Sequence, residues 1–243
     1  MDLGIGGRVA LVTASSRGLG RACAEALAAE GASVTVCGRD PAALAVAVQS
    51  LEIAGAAVLG MVADVTDPGT PGRLVDATVE RFGRLDMVVA NAGGPPPMRA
   101  LQVDDDAVRA AIEANLLTSV RLVRAALPHM RAGGFGRLCC ISSYTIVQAA
   151  PTLALSNLAR TGLWAWAKTA AADLASEAAD ITLNVVCPGP HATERMVQLG
   201  APPDAVMGNP ADFGAAVAFL CSAQARFVNG AALVIDGGAT LAI

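Results

Sequence analysis

The chain is short of the residues from which many catalytic and binding sites are built. Its 243 residues include two histidines, His129 and His191, one tyrosine, Tyr144, and one lysine, Lys168. Two histidines cannot make a His-rich metal centre, and the six cysteines stand in apolar contexts without a Cys-x-x-Cys pair. They read as buried reduced thiols, so no metal site is expected. Basic clusters are also missing, and the net charge of -4 with a pI near 5.1 argues against nucleic acid as a partner.

The hydrophobic fraction is 54% and the mean hydropathy +0.52, yet no run fits a bilayer. The nearest, 41–63, has Glu52 as its only charge, but Gln49, Ser50, Gly55 and Gly60 break it into a helix, a turn and a strand. No membrane partner is therefore expected. The opening MDLGIGGRVA has no basic segment followed by an apolar core, and the expectation is a cytoplasmic protein. Repeats and low-complexity segments are absent. The length suits one α/β domain over 1–243, with a short lid at about 190–210.

What is present is an alternation. Short apolar runs at 9–13, 33–37, 57–62, 86–90, 137–141, 181–186 and 232–235 are separated by helical patterns at 19–30, 41–53, 72–82, 105–131, 152–176 and 210–223. This predicts an α/β fold, a Rossmann-type doubly wound parallel sheet of about seven strands with helices on both faces. Such a sheet binds ligands at the carboxyl ends of its strands, where the strand order switches.

Directly after the first run comes TASSRGLG, residues 13–20. Gly18 and Gly20 allow close approach of the backbone to a pyrophosphate, and the helix beginning near Leu19 points its free N–H groups at that anion. The second run ends in VCGRD. Arg39 there, with Arg17 in the turn, can clamp a 2′-phosphate, so NADP(H) is expected, with NAD(H) less favoured. Asp40 precedes Pro41 and reads as a helix N-cap with proline at N1.

Taken together, these features resemble the short-chain dehydrogenase/reductase family, in particular its 3-oxoacyl-ACP reductase-like members, over nearly the whole chain. TASSRGLG resembles the family's T-G-x-x-x-G-x-G turn with Ala14 in place of the first glycine, which implies cofactor contacts from Thr13, Ser15, Ser16, Arg17, Gly18, Leu19 and Gly20. ADV at 63–65 resembles the adenine-contacting segment, implicating Asp64 and Val65, and ANAG at 90–93 resembles N-N-A-G, implicating Asn91, Ala92 and Gly93. Asn115 in IEANLLTS matches the family's active-site asparagine and Ser143 in ISS its serine. PGP at 188–190 resembles the turn beside the nicotinamide, so Pro188, Gly189 and the adjoining His191 are assigned to the cofactor. IDGG at 235–238 resembles the family's C-terminal strand ending. The resemblance further implies a homotetramer, or failing that a homodimer.

Two positions depart from the family. Counting from Ser143, the places of its tyrosine and lysine are taken by Ser156 and Arg160. Lys168 lies eight residues past Arg160, about 12 Å along a helix rising ~1.5 Å per residue, and cannot easily stand in. Ser156 and Arg160 share one helix face. Arg160 can hold ribose and stabilise negative charge but cannot cycle its proton near neutrality. Ser156 can donate a hydrogen bond but is a poor acid, leaving water, Tyr144 or His191 as routes for a proton.

These residues support an NADP(H)-dependent oxidoreductase interconverting a carbonyl and an alcohol, with Ser143, Ser156, Arg160, Asn115 and Tyr144 as catalytic candidates. Non-redox catalysis on the same scaffold (a cyclase, dehydratase or isomerase) and cofactor binding without turnover remain alternatives. Halohydrin dehalogenases also replace the lysine with arginine, but they keep the tyrosine and lose the cofactor turn, the reverse of this chain. The GGPPP segment at 93–97 and the lid sequence at 192–209 suggest an apolar small-molecule carbonyl or alcohol as substrate.

Overall fold

Seven strands build a single sheet in this computed structural model, which describes residues 2–177, 179–202 and 204–241. They are β1 (Val9–Val12), β2 (Ser33–Gly38), β3 (Val58–Val62), β4 (Met87–Ala90), β5 (Phe135–Ile141), β6 (Asp180–Pro188) and β7 (Ala232–Ile235). The helices are α1 (Gly18–Ala29), α2 (Pro41–Ile53), α3 (Thr70–Phe82), α4 (Asp105–Ile112), α5 (Thr118–Gly133), α6 (Ala154–Ala175), α7 (Glu194–Gln198) and α8 (Pro210–Leu220). Every strand pairing is parallel, in the order β3-β2-β1-β4-β5-β6-β7. Parallel neighbours need long crossovers, which the helices supply. The chain moves outward from β1 to β3 and then returns to place β4 on the other side of β1, so a crevice opens beyond the ends of β1 and β4.

Apolar side chains pack on both faces. Leu27, Val34, Met87, Phe213 and Val217 belong to one layer, and Leu74, Leu122, Leu138, Leu163 and Leu183 to the other. Accordingly β1, β4 and β5 are buried along their whole length, whereas the edge strands β3 and β7 are partly exposed. On the first layer α1 and α8 approach closely at Gly214, where a Cβ would sit 2.4 Å from the Ala22 carbonyl oxygen.

The expected single helix over 105–131 is instead interrupted. Between α4 and α5 the residues Glu113–Leu117 form a π turn, supported by the Thr118 hydroxyl, which donates to the Glu113 carbonyl at 3.0 Å. The lid also contains more structure than an irregular loop, since it carries α7. Its base is tied by backbone bonds from Ala192 to Gly208 and from Gly208 to Pro190, both 2.9 Å. The helix expected over 210–223 ends at Leu220. Segment 41–63 divides into α2 and β3 as its sequence suggests, and no helix among the described residues is long and apolar enough to cross a membrane. All six cysteines are buried and free of disulfides.

Candidate active site

The turn between β1 and α1 is held by side chains that face inward. The Thr13 hydroxyl donates to the Asn91 carbonyl and accepts from the Asn91 N–H, both at 2.8 Å, while Asn91 Nδ2 donates to the Ala14 carbonyl at 3.1 Å. Ser15 Oγ donates to Val12 at 2.6 Å and accepts from the Cys37 N–H. Thr13 and Ser15, which the sequence assigns to the cofactor, thus turn their side chains to the protein's own backbone. Both side chains are buried and consumed in joining strand ends, and they line neither cavity described below. Gly20 is likewise a packing glycine, because a Cβ there would lie 2.5 Å from the Ala14 carbonyl oxygen and 2.7 Å from Asn91 Nδ2. Gly18 takes φ +57°, and Ala14 is held at φ +46°, a left-handed conformation that its Cβ disfavours. Arg17 at the N-cap of α1 makes no side-chain cap, so the first-turn N–H groups face the cleft without one.

Two cavities of about 440 and 490 Å³ open here, with Ala14, Arg17, Arg39, Gly93 and Gly94 as shared walls. The first adds Ser16, Asp64, Val65 and Asn115. The second adds Gly18, Leu19, Asn91, Ala92, Ser143, Tyr144, Ser156, Arg160, Pro188, Gly189 and His191. Residues scattered from position 14 to 191 thus meet at one place. Asp64 accepts from the Thr66 N–H at 3.0 Å and its hydroxyl at 2.8 Å, bonds that hold its carboxyl below the ordinary value.

Arg17 and Arg39 line both cavities, each beside acidic side chains. Arg17 pairs with Asp40 at 2.7 Å and Glu194 at 3.1 Å, and Arg39 lies 3.9 Å from Asp64. Asp40 is the N-cap of α2, as its place before Pro41 suggests, accepting from the N–H groups of Ala42 and Ala43. Its second role as a partner of Arg17 joins residues 23 apart and has no local sequence signal.

At the other end of the cleft, β5 runs out at Ile141 and Ser143 begins a short turn. Ser143 Oγ accepts from the N–H and hydroxyl of Thr145, at 3.2 and 3.0 Å, which leaves its own proton available to donate. Ser156 and Arg160 are consecutive-turn neighbours on α6, each 7% exposed. Arg160 Nη1 donates to the carbonyls of Ile141 and Ser142 at 2.8 and 3.0 Å. Burial, reinforced by the positive charge of Arg195, pulls its pKa down to about 10. Lys168 donates to the Gly230 carbonyl at 3.0 Å and lines neither cavity. Asn115 sits in the π turn, 2% exposed, and neither Nδ2 nor Oδ1 has a hydrogen-bond partner among the described residues. Such turns often mark functional positions.

His191, a candidate for the proton or the cofactor, lines the second cavity with a ring that also packs into the protein. Its ring is buried, with Nδ1 3.0 Å from the Gly189 carbonyl and an edge-to-face contact with Phe213 at 5.4 Å between centroids. The imidazole anchors the lid base. Arg195 was not among the expected residues. It lines the second cavity from α7, and its Nη2 donates to the Pro95 carbonyl at 2.6 Å. As the only cation in the lid sequence at 192–209, it carried a sequence signal. Apolar walls from Leu153, Met196 and Leu199 complete the chamber.

The tight turn at Gly20, the open first turn of α1 and the orphaned Asn115 amide beside the cavity fit a bound dinucleotide. Comparison with known proteins agrees. The enoyl-(acyl carrier protein) reductase family profile matches residues 13–240. The chain is 35% identical to cis-4-hydroxycyclohexanecarboxylate dehydrogenase of Sinomonas cyclohexanicum, covering 96% of each chain. It is 33% identical to the 3-oxoacyl-[acyl-carrier-protein] reductase of Escherichia coli, covering 96% of this chain and 97% of that one. L-sorbose reductase from Gluconobacter frateurii, solved with NADPH and L-sorbose, superposes with a TM-score of 0.90 at 30% identity, covering 99% of this chain and 100% of that one.

Proposed function

For this chain, which belongs to the short-chain dehydrogenase/reductase family, we propose NADP(H)-dependent interconversion of a carbonyl and an alcohol through a site built on Ser143, Ser156 and Arg160. The observation that carries the proposal is their convergence, with Asn115 close by, on a cleft that continues into the dinucleotide turn. The relatives named above act on oxo or hydroxy compounds, and one is solved with NADPH.

When bound, the nicotinamide supplies or accepts the hydride. The Ser143 proton, without an acceptor among the described residues, hydrogen-bonds the substrate oxygen, and Ser156 donates a second. Arg160 spends Nη1 on the end of β5 and keeps Nε and Nη2, which hold the nicotinamide ribose while its charge offsets negative charge developing on the oxygen. A serine hydroxyl and a guanidinium are both poor proton carriers near neutrality, so the proton travels by water, ordered by the unpartnered Asn115 amide. Arg39 and Arg17 receive the 2′-phosphate by exchanging their carboxylate partners for it. The enzyme works in the cytoplasm as a homotetramer or homodimer.

Calorimetric titration with NADPH and NADH separately tests the cofactor reading. NADPH is expected to bind at least about tenfold more tightly, and Arg39→Ala to remove most of that preference. Equal affinities in the parent protein would refute it. The absence of tyrosine and lysine from the expected positions keeps non-redox catalysis, or binding without turnover, as a second reading. Product formation with no change at the reduced-nicotinamide absorbance band would favour the former. Tight NADPH binding with no turnover across carbonyls and alcohols would favour the latter.

A further inference from the structure

The second cavity holds more positive charge than its acidic groups answer. Arg17, Arg39, Arg160 and Arg195 line it, against Glu194. Arg17 is engaged by Asp40 and Glu194, and Arg39 faces Asp64. Arg160 and Arg195 form no ion pair among the described residues.

Both guanidiniums are instead held by backbone carbonyls. Arg160 is fixed through Nη1 to Ile141 and Ser142, and Arg195 through Nη2 to Pro95. Arg195 lies tightly over Gly94, where a Cβ would sit 2.9 Å from Nη2, so the missing side chain makes room for the guanidinium. Burial lowers the pKa of each, and the charge of Arg195 adds to the fall at Arg160. Two cations bordering one cleft, Arg160 buried and Arg195 partly so, neither paired with a carboxylate among the described residues, are an unfavourable arrangement by themselves. An oxyanion placed between them relieves it through charge-assisted bonds that an arginine fork suits well.

We propose that Arg195 and Arg160 together receive the carboxylate of the substrate, which is a small oxo or hydroxy acid rather than a neutral carbonyl compound. The same chemistry could serve the cofactor's pyrophosphate, but that group is provided for at the first turn of α1. Arg160 adjoins Ser142 and Ser143 and stands one turn from Ser156, at the reacting end of the cleft. Its Nε and Nη2 together carry enough protons for both a ribose and a carboxylate. Leu153, Met196 and Leu199 offer an apolar wall for the carbon skeleton. The proposal rests on the oxidoreductase reading for the carbonyl end of the ligand, but not for its anionic end.

The test is calorimetry with pyruvate, 3-oxobutanoate and 4-oxopentanoate, each beside its neutral methyl ester, with and without saturating NADPH. At least one acid is expected to bind about tenfold or more tightly than its ester. Arg195→Gln should weaken that acid by about tenfold while changing ester and NADPH affinities by less than about threefold, and Arg195→Lys should recover part of the loss. No preference for acid over ester across the series would overturn the proposal. So would an Arg195→Gln protein that loses NADPH affinity while keeping that for the acid, since the oxyanion would then be the pyrophosphate. A preference for the acid that persists in a protein unable to bind NADPH would support this proposal while refuting the redox reading.

Discussion

Replacing Arg160 with methionine separates its service to a ligand from its service to the fold. The substitution keeps an unbranched side chain in the same channel and removes the charge. The fall of the Arg160 pKa from 12.5 to about 10 corresponds to roughly 3 kcal/mol by which the folded site disfavours the charged form. Methionine escapes that term. Against it stands the loss of two hydrogen bonds from Nη1, each worth about 1.5–3 kcal/mol when the donor is charged. The freed carbonyls of Ile141 and Ser142 border the cleft, where water can take over as donor, so the loss falls toward the low end. The two terms nearly cancel. Unfolding in urea should therefore give a stability within about 2 kcal/mol of the parent protein, a Tm change of at most about 4–8 °C for a chain of this size. NADPH affinity should nevertheless drop about tenfold or more, the worth of one charge-assisted bond to the ribose. A protein destabilised by more than about 3 kcal/mol that binds NADPH normally would show Arg160 to be a strut for the end of β5 and refute its assigned role.

Two further substitutions probe the dinucleotide turn. Gly20→Ala forces a Cβ to 2.5 Å from the Ala14 carbonyl oxygen and 2.7 Å from Asn91 Nδ2, and should destabilise by about 1–3 kcal/mol and weaken dinucleotide binding; unchanged unfolding and titration curves would contradict the packing account. Ala14→Gly removes the Cβ from a residue at φ +46° and should raise stability by up to about 1 kcal/mol, since relief of strain of about 1–2 kcal/mol outweighs the added freedom of the unfolded chain. A lower urea midpoint at unchanged slope would show that the Ala14 methyl packs better than the backbone geometry implies.

Much of the candidate site was legible because its signals are local. Ser156 and Arg160 share a face through helical periodicity, Asp40 and Pro41 announce a helix start, and the turn at 13–20 is bounded by a strand and a helix in direct succession. The local partners of Thr13, Ser15 and His191 were not legible, because residue type at a motif position does not say which way a side chain turns. Burial does, and it commits these three to Asn91, Val12 and Phe213. The π turn at Asn115 was hidden for a related reason, since one helical periodicity covers both arms and the widened turn depends on how the arms pack.

The sequence alone determined the alternation of buried strands and covering helices, and with it a parallel sheet whose strand ends carry the site. It also determined that no Tyr-x-x-x-Lys pair exists, because Tyr144 is the single tyrosine and Lys168 the single lysine. Tertiary structure decided the charge balance of the cleft. The pairing of Arg17 with Glu194 spans 177 positions, and the contact of Arg195 with Pro95 spans 100. Electrostatic energy depends on distance through space and on desolvation, and neither is written in the spacing of residues along the chain.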